Sequence, residues 1–405
     1  MNADIAIVGG GMVGASLGVA LAPLGLRIAL IESIAHDAAA QPSFDERTTA
    51  LSNGSRRILE MLGVWQELGS GATPIAKIHV SDKGRFGFAR LEAAEMGLAA
   101  LGYVIPNRAL GRALWSRLAG FSNVQVLCPA KVVDVVLADA GVALQVESPP
   151  QLRVEARLAV AADGAGSALR SAAGVTAESR DYQQTALITT VLPQRFHEHV
   201  AYERFTPAGP LALLPLSDGR CTLVLTLATE DAARVLAMSD AEFIAELQSR
   251  FGFRLGRFLQ VGRRSSYPLS ITRAGQLSAQ RCVVVGNAAQ SLHPVAGMGF
   301  NLGLRDVASL AELIAERIHD ESFDPGAAQL LAQYDAWRAA DRRGVIAFTD
   351  GLVRTFSNPL AALSVLRNIG LLAFDLSPPA KAALSRLSTG ATGRVPKLAR
   401  GVALS

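Results

Sequence analysis

The chain opens on DIAIVGGGMVGASLGVALAPLGLRIALIES, and no other segment restricts its possible folds as much. Asp4–Val8 reads as a buried strand, Met12–Leu24 as a helix rich in Ala, Gly and Leu, and Arg27–Ile31 as a second strand. Between strand and helix stands Gly9-Gly10-Gly11-Met12-Val13-Gly14. In such a βαβ unit Gly9 allows the tight turn, Gly11 lets backbone approach a pyrophosphate, and Gly14 lets the helix pack closely on the strand. Free N–H groups and the positive end of the helix would hold the anion. Glu32 ends the second strand, 23 residues after Gly9. Its carboxylate is placed to accept both hydroxyls of an unphosphorylated ribose, which favours the adenosine of FAD or NAD over that of NADP.

The same span raises a membrane question, because Met12–Ile31 is largely apolar. Pro23, Gly25 and Arg27 interrupt it, so helix-turn-strand fits better than a spanning helix, and no transmembrane segment is expected. No basic region precedes the first strand, so no signal peptide is expected either. The three cysteines, Cys128, Cys221 and Cys282, are far apart and form no C-x-x-C, which argues against a disulfide framework or a metal site. These features point to a cytoplasmic protein. The net charge of +4 is uneven: residues 377–405 carry Lys381, Arg386, Arg394, Lys397 and Arg400 and no acid. A basic tail on a near-neutral body suits either solvent or anionic lipid headgroups. The basic residues lack interleaved aromatics, so no nucleic-acid partner is expected.

With 405 residues, half of them apolar, the chain suits two domains. Helical spacing marks Arg56–Leu62 and Ala109–Leu118. Lys131–Leu137 and Val142–Glu147 flank ADAG as a hairpin, and Leu158–Ala161 is a short buried strand. Strand-like runs (ALITTVL, LALLPL, CTLVLTL) dominate from Tyr182 to Leu269, interrupted by a helical Asp240–Phe251, and from Gly303 onward the pattern is helical. The expected fold class is α/β, α+β overall: a Rossmann-like domain with an inserted mixed β-sheet domain and C-terminal helices. The expected division is 1–74, 101–178 and 276–345 for the first, 75–100 and 179–275 for the second, and 346–405 for the C-terminal helices and tail.

Two further motifs stand at predicted strand ends. Asp163-Gly164-Ala165-Gly166-Ser167 follows Leu158–Ala161, where α/β proteins bind ligands, although Asp-Gly alone is a turn signal. Asn287 follows the strand Cys282–Val285 and can reach a polyol hydroxyl. Gly297 and Gly299 let backbone N–H groups approach a flat ligand, and Asn301 is a cap candidate for the next helix. His293 fits either a hydrogen-bonded structural histidine or a group near a substrate.

Together GGGMVG with Glu32, DGAGSALR, and GNAAQSLHPVAGMGFN resemble the three motifs of FAD-dependent aromatic hydroxylases of the p-hydroxybenzoate hydroxylase type, in order and spacing, over residues 1–345. FDERTTAL looks like that family's Asp-x-Arg loop, which would place Arg47 near the flavin. NRALGRAL resembles its helix whose arginine contacts FAD, here Arg108. Pro294 begins its Pro-x-x-Gly-x-Gly segment, and GPLALLPL resembles the strand lining its substrate cavity. One departure is Asn287, where the family usually has aspartate; the amide keeps an acceptor and drops the charge. GNAAQ-x-L-H-P is similar to the ubiquinone-pathway branch that hydroxylates 2-polyprenyl-6-methoxyphenol.

The resemblance implies FAD, with NADPH (or NADH) as a transient co-substrate, since one dinucleotide fingerprint leaves no second site. It implies hydroxylation of a polyprenylated phenol para to its hydroxyl, through a C4a-hydroperoxyflavin formed from reduced FAD and O2. The cofactor carries that chemistry, and a phenol activates its own ring, so no catalytic base is assigned. A quinone-biosynthesis assembly is left open. The apolar positions Leu360, Leu363, Leu366, Ile369, Leu372 and Phe374, with the basic tail behind them, suit peripheral contact with the inner membrane or packing on the body. The rival readings are a sister hydroxylase with another ring position or a soluble aromatic substrate, and a non-catalytic prenyl-binding protein, which would not need intact flavin motifs.

Overall fold

The computed structural model describes residues 1–356 apart from 37, 39, 40, 42, 46, 149 and 294–296, and beyond 356 residues 368, 370–377, 379–381, 383 and 393–404. Its first sheet is built on five parallel strands in the order Cys282–Val284, Leu152–Ala161, Asn2–Val8, Ile28–Ile31 and Val124–Leu127. The inner strands are covered on both faces, which is why their sequences are near-continuous apolar runs: Ile5, Ile7, Leu30 and Val160 have no accessible surface. The expected hairpin forms as Lys131–Ala138 and Gly141–Glu147 and joins Leu152–Ala161 antiparallel.

Helix Met12–Leu21 packs on helices Asn107–Ala119 and Met298–Ala315. It ends three residues before the expected Leu24. Pro23 brings no N–H to continue the ladder, so Ala22–Leu24 tightens into a 3-10 turn, and Gly25 closes it at φ 77°.

The second sheet is mixed. Its order is Gln290–Ser291, Ser265–Ala274, Ala177–Pro193, Cys221–Ala228, Gly209–Pro215, Val200–Thr206, Lys77–Asp82 and Phe88–Glu92, and Phe258–Val261 also pairs with Ala177–Pro193. Among these described strands only Val200–Thr206 and Lys77–Asp82 run parallel to each other. One face is sealed by helices Thr229–Leu236 and Asp240–Phe251, the latter started by a reciprocal capping box between Ser239 and Glu242. The other face looks toward the first sheet. This is the expected α/β fold with a mixed sheet inserted. A third, small sheet (Thr48–Ser52, Gly102–Pro106, Thr73–Ile75) links the two and was not legible as strands.

Among the described residues no helix is long and apolar enough to cross a membrane. The described C-terminal residues do not trail as a solvated tail. Arg394 lies over the Trp337 ring at 3.9 Å and pairs with Glu312 and Glu316, each at 2.8 Å; Leu398 and Ala399 are buried. Lys381 pairs with Glu95 of the body at 3.6 Å as well as with Asp375 at 3.3 Å. Two of the five basic residues are thus neutralised by the body, and Arg386 lies outside the described residues. Leu360, Leu363, Leu366 and Ile369 also lie outside them. Of the rest of that apolar run, Phe374 turns inward with Leu371 to line the central cavity.

Candidate active site

The parallel register puts Val8 beside both Ile31 and Ala161, and Ala161 beside Val284. The residues that follow these strand ends, Gly9, Glu32, Asp163 and Asn287, therefore stand in one row at the carboxyl edge and line one cavity of about 1390 Å³. Gly9 has φ +104°, and a Cβ there would meet the Ala162 carbonyl oxygen at 2.4 Å. At Gly14 a Cβ would meet the Gly9 carbonyl oxygen at 1.8 Å, so Gly14 serves the turn from behind and does not face the cavity. Gly11 caps helix Met12–Leu21 without a side-chain hydrogen bond, leaving the first-turn N–H groups toward the cavity. The Glu32 carboxylate is fixed by N–H donors from Gly10 at 2.6 Å and Ile34 at 2.9 Å.

The Asp163 carboxylate is turned into its own loop. It accepts from the hydroxyl of Ser167, the cap of helix Ala168–Ala172, and from the Ala168 N–H at 2.9 Å, so it is spent on the start of that helix, while the backbone at Gly164 (φ +87°) lines the cavity. Buried Arg170 spans the Asp-Gly loop and the Asn287 turn, donating to the carbonyls of Ala165 at 2.9 Å and Ala288 at 2.8 Å. The Asn287 turn is clamped further. Arg342 donates to the Ala289 carbonyl at 3.2 Å, and the fully buried Asp306 carboxylate accepts from the Gly286 N–H at 3.1 Å and the Gln290 amide at 2.8 Å. Behind Asp306, Arg338 donates to it at 2.7 Å and to Asp341 at 2.7 Å. Asn287 itself is exposed on this clamped turn and points no hydrogen bond at any described residue.

Gly297, at φ +59°, caps helix Met298–Ala315 with no side-chain hydrogen bond. With Gly299 it presents the helix N-terminus to the cavity. Asn301 is not the cap; it lies inside the helix. Its amide brackets the strand Thr48–Ser52, accepting from the Ser52 N–H and donating to the Ala50 carbonyl, both at 2.8 Å. Arg47 lines the cavity, paired with Asp45 at 2.7 Å and lying 4.4 Å over the Tyr267 ring. Arg108 is exposed on the first turn of its helix and does not line the cavity; its neighbour Asn107 does. Pro294 lies outside the described residues. His293 lines the cavity, 2% exposed, with its ring edge-on to Tyr182 at 5.3 Å. Burial pushes its imidazole down to about 4, so the ring is neutral near pH 7.

Beyond these loops the cavity wall is the open face of the mixed sheet, mostly aliphatic. Two polar residues there carried no motif. Tyr267 donates its hydroxyl to Asp45 at 2.9 Å, joining the sheet to the Arg47 loop. Glu203 lines the cavity on strand Val200–Thr206, half-buried, and desolvation by the surrounding wall pushes its carboxyl up to about 8. Its signal was a glutamate at an inward position of the alternation Ala201, Glu203, Phe205. Among the described residues no group of His, Cys, Asp and Glu could hold a metal ion.

A family model described as an FAD binding domain matches residues 2–349. The chain belongs to this family. It is 38% identical to the ubiquinone hydroxylase UbiL of Rhodospirillum rubrum, over 99% of this chain and 94% of that protein. It is 32% identical to the 3-demethoxyubiquinol 3-hydroxylase of Escherichia coli, over 92% of this chain and 94% of that one. The p-nitrophenol 4-monooxygenase PnpA of Pseudomonas putida superposes with a TM-score of 0.78 over 94% of this chain and 96% of its own. At 18% identity that likeness speaks for the fold alone. The chain is a flavin-dependent hydroxylase, and its cofactor is FAD. The loops fit that cofactor: the Gly9 and Gly14 positions have no room for a Cβ, and Asn287 offers beside them an amide that engages no described residue.

Proposed function

We propose that this hydroxylase acts in ubiquinone biosynthesis on a polyprenylated phenol, 2-polyprenyl-6-methoxyphenol, and hydroxylates it para to its hydroxyl. The observation that carries the reading is the cavity's composition. Polar loops of a flavin site occupy one side, and the other is an aliphatic sheet face closed by Leu371 and Phe374, which suits a ring bearing an apolar chain. The ubiquinone-pathway names of the two relatives support it. FAD, once bound, would supply the redox chemistry: electrons from NADPH would reduce O2, one oxygen atom entering the ring and the other leaving as water.

The chain's own residues bind and orient. The N–H groups at Gly11 and Met12 would hold the pyrophosphate, and the Glu32 carboxylate, already fixed by two N–H donors, keeps lone pairs that would take the ribose hydroxyls. Arg47, held by Asp45 and Tyr267, stands over the site. Asn287 would receive from or donate to a ribityl hydroxyl, and the helix N-terminus at Gly297–Gly299 would stabilise the negative charge that reduction places on the flavin. Asn287→Ala should weaken FAD binding about five- to tenfold, and Asn287→Asp should stay near wild type, in a titration of apoprotein with FAD. An unchanged Ala variant would remove Asn287 from the site. A substrate dissolved in lipid would bring the enzyme to a membrane surface, which flotation with anionic vesicles tests.

The E. coli relative's name specifies another ring position, so a sister hydroxylase is the second reading. NADPH consumption should rise when 2-polyprenyl-6-methoxyphenol is added, with the para-hydroxylated product recovered. A different hydroxylated position would favour the sister enzyme, and indifference to prenylated phenols would sink the proposal and leave only a hydroxylase of soluble aromatic substrates.

A further inference from the structure

The cavity face of the mixed sheet contains one row of side chains that sit side by side across six strands. Register pairs Ala89 with Val80, Val80 with Glu203, Glu203 with Ala212, Ala212 with Val224, and Val224 with Ile188. All six line the cavity, and five are aliphatic. Glu203 stands in the middle. On its own strand its same-face neighbours are Ala201 and Phe205, both buried. Among the described residues none engages its carboxyl in a hydrogen bond or ion pair, and burial is what raises its proton affinity. Arg204, the adjacent residue, turns its guanidinium away, to the Arg250 carbonyl at 3.1 Å and the Ser81 hydroxyl at 3.3 Å.

A carboxyl left without a partner among aliphatic side chains destabilises the protein that carries it. Valine or alanine would complete the row without that cost. Mostly apolar ligand sites, by contrast, orient their ligands with a small number of placed polar groups. We propose that Glu203 is the ring-hydroxyl anchor of the substrate cavity: its carboxyl hydrogen-bonds the phenolic hydroxyl of the substrate and so sets which ring carbon is presented for hydroxylation. This assignment rests on the phenol reading of the preceding subsection. It involves no bond making or breaking; the phenolic O–H donates to a carboxyl oxygen, and the aliphatic row on either side receives the ring and chain.

The test uses the FAD-loaded protein and two probes, a short-chain prenylated 6-methoxyphenol and the same compound with its ring hydroxyl methylated. Calorimetric titration should show wild type preferring the free phenol about tenfold. Glu203→Leu should lose that preference and keep wild-type affinity for the methyl ether, and Glu203→Gln, with one acceptor oxygen retained, should keep part of it. Turnover by Glu203→Leu should yield less hydroxylated product per NADPH consumed and more hydrogen peroxide, because the ring is no longer held in one orientation. Folding of the leucine variant is checked by FAD content, and the isosteric glutamine variant carries the test if leucine packs poorly. A wild type that does not distinguish the probes, or a leucine variant that discriminates as wild type does, overturns the role of Glu203. A wild type that binds neither probe overturns the phenol reading instead, together with the assignment built on it.

Discussion

Gly14→Ala is expected to purify without flavin colour and with a lowered melting temperature. The added Cβ would lie 1.8 Å from the Gly9 carbonyl oxygen and 3.2 Å from the Ala162 Cβ, and the first of these is backbone that no side-chain rotamer can relieve. The helix Met12–Leu21 would have to move off the strand Asn2–Val8, and its free first-turn N–H groups would move with it. Overpacking of this kind costs about 1–3 kcal/mol or more, and the anion site is displaced by the same motion. A control separates crowding from loss of glycine flexibility. At Gly71 an added methyl would meet no neighbour within 4 Å and φ is not positive, so Gly71→Ala should keep both flavin and stability. The readouts are the visible flavin spectrum of the purified protein and its thermal unfolding. A yellow Gly14→Ala protein with wild-type melting would show that the turn can relax, against the close approach argued for it.

The flavin loops were legible because each is a local device. GGGMVG needs bare backbone within six residues, and the strand before it and acid after it are read from the same short segment. Asp-Gly and Gly-x-Gly likewise carry their geometry in their own residue types. The roles of the polar residues beside them were less legible, because partners far along the chain decide them. Asp163 looks like a ligand-facing acid but is consumed by Ser167 and the Ala168 N–H. Asn301 looks like a helix cap but bridges to a strand some 250 residues earlier in the chain. Glu203 could not be singled out from YERFT, since only the register of five neighbouring strand pairs shows that its row is otherwise aliphatic. The basic C-terminus carried its composition openly, yet the acids that receive Arg394 lie on the helix that also carries Asp306 and on the turn just beyond it.

Asp306→Ala should lower stability by about 3 kcal/mol and loosen the flavin at the same time. The carboxylate has no accessible surface and receives Arg338 at 2.7 Å, the Gln290 amide at 2.8 Å and the Gly286 N–H at 3.1 Å. Burial alone would lower the Arg338 proton affinity, but Asp306 and Asp341 outweigh it and raise it. Removing one of those two acids leaves a buried guanidinium with half its compensation, which puts the cost at the lower end for a broken buried pair. The Gly286 N–H and Gln290 amide lose their acceptor too, and that part of the loss falls on the turn that presents Asn287. Replacing both charges should be milder: Asp306→Leu with Arg338→Met removes the stranded cation along with its partner, and part of the stability should return. Urea unfolding of Asp306→Leu, Arg338→Met and the double variant gives the coupling energy, and FAD titration of the same proteins and of Asp306→Ala reads the turn. If Asp306→Ala unfolds within about 1 kcal/mol of wild type, the network is not what holds the fold there. If it is destabilised but binds FAD normally, the Gly286–Gln290 turn is held well enough by Arg170 and Arg342, which grip the Ala288 and Ala289 carbonyls from the other side.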